Sequence, residues 1–80
     1  DTLGWILVRI SRAQEALQYL REAQSRDAGN PEIRYHLGVA LHQLGRKAEA
    51  RRQFEQAIPD KANYPGIEEA RRLYREVATP

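Results

Sequence analysis

Shifted by 34 residues, the chain matches itself, and no other feature constrains its fold as tightly. At that offset Leu3 falls on Leu37, Gly4 on Gly38, Leu7 on Leu41, Arg12 on Arg46 and Glu15 on Glu49. Ala16 meets Ala50, Ala23 meets Ala57, and Leu20 lies under Phe54. The register continues beyond the second unit, since Pro31 falls on Pro65 and Ile33 on Ile67. Most matched positions are small or apolar, and they recur at the three- and four-residue spacing of a helix face. A unit of this length cannot bury that face alone and must stack on its copies.

The second unit shows what is repeated. In NPEIRYHLGVALHQLGRKAEARRQFEQAI, Asn30 to Ile58, Asn30 offers a side-chain oxygen to orphaned amides at a helix start. Pro31 suits the first helical position, and Glu32 places negative charge near the positive end of the dipole. Ile33, Leu37, Ala40, Leu41 and Leu44 form one apolar face, which Gly45 closes as a C-terminal cap. A second stripe of Ala50, Phe54, Ala57 and Ile58 runs to Pro59, where a helix must end or kink. Gly38, Ala50 and Ala57 permit close approach of the two helices, with Phe54 filling the volume between them. This is a helix hairpin.

The first unit has the same plan. Leu3 to Ile10 reads as a helix, Ser11 to Gln14 as a capping box with Ser11 as N-cap, and Ala16, Leu17, Leu20 and Ala23 as a second helix face. Asp27 to Asn30 is turn chemistry. After the loop from Pro59 to Tyr64, Pro65 to Val77 is expected as a last helix with Ile67, Ala70, Leu73, Tyr74 and Val77 on its apolar side. Arg71 and Arg72 stand there where the preceding unit has Leu37 and Gly38. A helix that keeps the register but turns polar on its outer side suits the end of a stack. Ala78 to Pro80 is expected as a frayed end.

With 80 residues the chain is one small domain that buries about 60% of its unfolded surface. No stretch alternates with period two as a strand would, and none approaches the roughly 20 apolar residues of a membrane span. There is no cysteine, which excludes disulfides and thiolate metal sites. Methionine is also absent, and the chain opens on Asp1 inside a predicted helix, so a fragment of a longer protein is expected. The net charge of +2 is too small to imply an anionic partner. All but Lys47 and Lys61 of the 13 basic residues are arginine, read as solvated helix faces.

The residues Leu37-Gly38, Gly45, Ala50, Phe54 and Ala57, with Leu3-Gly4, Ala16, Leu20 and Ala23, resemble the signature positions of tetratricopeptide (TPR) repeats over essentially the whole chain. There are departures: Arg34 stands at a position usually aromatic, Leu7 and Leu41 replace a frequent tyrosine, and Ala28 and Ala62 replace a proline. The resemblance implies an all-α, TPR-like α-solenoid of five helices in a single domain. Residues 1–29 would be an N-terminally truncated repeat, 30–63 a complete one, and 64–80 a capping helix and tail. DTLGW, NPEIRYHLG and YPGIEEA are also similar to the C-terminal ends of large bacterial TPR proteins that accompany exosortase-type sorting and exopolysaccharide systems.

Chemistry of other kinds finds little support. His36 and His42 lie about 240° apart on a helix and are expected as surface groups. Glu32 with His36 supplies two metal ligands and no third. Neither Ser11 nor Ser25 has a histidine and acid arranged around it, and no glycine-rich phosphate loop occurs. Glu49 and Arg52 are expected as a solvated pair. Arg51, Arg52, Arg71, Arg72 and Arg75 are interrupted by Glu49, Glu55, Glu68, Glu69 and Glu76, so no phosphate track forms. The expectation is a non-catalytic protein without cofactor or metal, and without nucleic-acid or membrane contact.

In TPR arrays the first helix of each hairpin lines a concave groove that receives a peptide. Carried over, that groove comprises Trp5, Val8 and Arg9, then Tyr35, Val39, His42 and Gln43, then Glu69 and Leu73. The lysine and asparagine clamp that some members use for a C-terminal carboxylate is absent, because Asp1, Trp5, Tyr35 and Val39 occupy those places. The resemblance thus implies a scaffold binding a protein or peptide partner. The alternative is a structural end to a longer solenoid, or self-association through the first helix with Trp5, Ile6 and Ile10.

Overall fold

The computed structural model describes residues 5–6 and 12–78. These residues hold four helices rather than the five expected: α1, Ala13–Arg26; α2, Pro31–Gln43; α3, Lys47–Ala57; and α4, Ile67–Ala78. The other predicted helix lies outside the described residues apart from Trp5 and Ile6, which are helical. No strand occurs among the described residues. The helices pack in sequence, α1 on α2, α2 on α3 and α3 on α4, with α2 also touching α4.

Local chemistry sets the helix ends. Asn30 Oδ1 accepts from the Glu32 amide at 2.9 Å and the Ile33 amide at 3.4 Å, and Pro31 opens α2 as expected. At the other end Gly45 adopts φ +78. Its N–H donates to His42 O at 3.0 Å, and the Arg46 N–H donates to Leu41 O at 2.9 Å. This pair of bonds is a Schellman closure, which a residue with a Cβ enters at a cost.

Two helix starts differ from expectation. Helix α1 begins at Ala13 with Arg12 at the cap and no side-chain cap bond; Ser11 lies outside the described residues. Arg12 Nε instead donates to Glu15 at 2.7 Å, and Arg46 repeats the arrangement 34 residues on, with 2.8 and 2.9 Å bonds to Glu49. In each unit the second helix therefore starts with an arginine clasping a first-turn glutamate, which is itself favoured by the helix dipole. Glu49 is thus engaged by Arg46, and more loosely by Arg21 at 3.9 Å, rather than by Arg52. The final helix begins at Ile67, two residues later than predicted, because Gly66 adopts φ +99. At the far end Ala78 is helical, while Thr79 and Pro80 lie outside the described residues. The departure at Arg34 also has a use, since its guanidinium donates to Ala28 O at 2.7 Å and ties α2 to the preceding turn.

The core follows the stripes read from the sequence. Ala16, Leu20, Leu37, Leu41, Ala50, Phe54 and Ala57 are all buried. Phe54 of α3 lies directly against Gly38 of α2, so closely that a Cβ on Gly38 would sit 2.5 Å from its ring.

Candidate interaction surface

Side chains on the first-helix positions divide into a buried end and an open end. Tyr35 is buried, and its hydroxyl donates to Glu69 Oε1 at 2.6 Å. Tyr35 and Glu69 are themselves 34 residues apart, so equivalent positions of successive units are bonded to each other. The Trp5 ring lies 5.3 Å from Tyr35 and stacks on His36 at 4.0 Å with an interplanar angle of 13°. Tyr64 approaches Tyr35 at 5.9 Å and anchors the α3–α4 loop by donating to Ala57 O at 2.5 Å. Burial, assisted by the Glu32 charge and opposed by Arg71, pushes the Tyr64 hydroxyl up to about 12, so it stays a donor.

Of the predicted groove residues, the structure brings Trp5, Tyr35 and Glu69 together in this cluster. Leu73, like Tyr35, is buried in the core. Val39 and His42 are half-buried, while Gln43 and Glu69 are exposed. Val39, His42 and Gln43 recur three and four apart on α2 and make its open strip. Val8 and Arg9 lie outside the described residues.

His36 is the residue that sequence reasoning misplaced. It is 4% exposed, not a surface group. The signal was available: it falls three after Ile33 and four before Ala40, inside the apolar face. Burial lowers its pKa to about 4, against the opposing pull of Glu32. In the unfolded chain the ordinary value is about 6.5. Between those pH values the unfolded state binds more protons, so this contribution is intact above about pH 6.5 and is lost as the pH falls toward 4. The expected loss is at most about 3 kcal/mol. Urea melts at pH 7 and 4.5 will read it as a pH-dependent difference that His36→Gln removes. An equal pH dependence in the variant would refute it. Trp5 is the sole tryptophan, so its emission reports the same stack.

Among the described residues no three histidine, aspartate or glutamate side chains gather as a metal would need. No helix there is long and apolar enough to cross a membrane. Two arginines of α4 are matched within the helix, Arg71 to Glu68 and Arg72 to Glu76, both at 2.7 Å.

Hairpins that keep one 34-residue register and close-pack through glycine and alanine define a helical-repeat protein. Within that class, a tetratricopeptide repeat family model matches residues 2–66, and the chain belongs to that family. No curated protein and no solved structure matches it. Repeats of this family generally mediate protein–protein interaction and are generally non-catalytic. The match concerns the repeat and does not extend to exosortase or exopolysaccharide systems.

Proposed function

We propose that this domain is a non-catalytic scaffold that binds a partner's peptide segment across its first-helix face. The observation that supports this reading most is the open strip of α2, where Val39 and His42 stay half-exposed above a core that buries their neighbours Tyr35, Leu37 and Ala40. Val39 supplies the apolar contact, His42 and Gln43 the polar rim, Trp5 and Glu69 the flanks, and Tyr35 and Leu73 the floor. Val8 and Arg9, assigned to the same groove by the family resemblance, lie outside the described residues. An apolar centre with a few polar groups suits a binding cleft.

A second reading has its own observation. Ile6 is 51% exposed, whereas its counterpart Ala40, 34 residues on, is completely buried. On this reading the Ile6 face packs on another helical unit or a second copy, and the chain ends a stack with no ligand of its own. One experiment separates the two. Peptides selected from a random library should lose at least about tenfold in affinity, near 1.4 kcal/mol, on Val39→Arg. The melting temperature should be unchanged. Selected peptides indifferent to that variant, together with concentration-dependent self-association in sedimentation, would favour the structural reading.

A further inference from the structure

We draw no further inference here: the strongest candidate, the half-buried strip that Ile67, Arg71 and Tyr74 form on α4, carries none because Arg71 is already held by Glu68 at 2.7 Å and nothing in the structure shows what covers it.

Discussion

Truncating Phe54 to alanine is expected to cost about 3–5 kcal/mol. The ring is fully buried and lies where α2 and α3 come closest, against the bare Cα of Gly38. A chain of 80 residues has roughly 4–12 kcal/mol of total stability, so the variant should be partly or wholly unfolded at 37 °C. The converse substitution probes the same contact from the other side. A Cβ at Gly38 would meet three ring carbons at 2.5, 2.7 and 2.9 Å, an overpacking expected to cost about 1–3 kcal/mol. Because the two residues touch, their effects should not add. Gly38→Ala with Phe54→Leu should be more stable than the sum of the single changes implies. Urea midpoints for the four proteins of that cycle supply the measurement. A cost below about 1 kcal/mol for Phe54→Ala would show that the hairpin is not held by this interdigitation.

That contact was legible because both partners sit on periodic stripes and one of them is glycine. The same holds for Asn30 and Gly45, whose side-chain or backbone chemistry is fixed by their own residue type. The features that were not legible depend on neighbours from another element. His36 was legible in part, since it falls inside the apolar face of α2, but the ring that covers it, Trp5, comes from the preceding unit. Arg12 takes the cap position of α1, and its pairing with Glu15 is a choice among several possible partners that sequence spacing leaves open.

The proposed interaction surface divides along the same line. The 34-residue register put Tyr35 and Glu69 at equivalent positions of adjacent units, and the structure joins them by a hydrogen bond. The register was not enough to tell which positions stay open. Tyr35 and Leu73 are buried, Tyr35 against Tyr64, the Gly66 turn and Glu69 at the start of α4, while Val39, His42 and Gln43 stay half-buried or exposed. That start departs from the register: Gly66 falls on Glu32, which is inside a helix, but adopts a left-handed backbone instead. The Pro65-Gly66 pair is a turn signal that the match of Pro65 to Pro31 obscured.

Gly66→Ala should accordingly be among the most damaging single-methyl changes in the chain. Two costs coincide. At φ +99 an L-residue is held in a sparsely populated region, at about 1–3 kcal/mol. The added Cβ would also lie 2.5 Å from Tyr35 Cε2 and 2.9 Å from Cζ. Tyr35 cannot swing aside freely, since its hydroxyl is held by Glu69 and its ring lies between Trp5 and Tyr64. Forcing that contact adds about 1–3 kcal/mol, for a total near 4 kcal/mol. Gly45→Ala is the control. Its φ of +78 carries backbone strain, but nothing lies within 4 Å of the new Cβ, so only the first cost applies. The excess of Gly66→Ala over Gly45→Ala therefore measures how tightly the last helix is seated on Tyr35. Hydrogen exchange should show that excess as lost protection in α4 while the Gly38–Phe54 hairpin keeps its own. Equal costs for the two alanines would mean that Tyr35 yields, and that the buried end of the proposed interaction surface is not fixed by the start of α4.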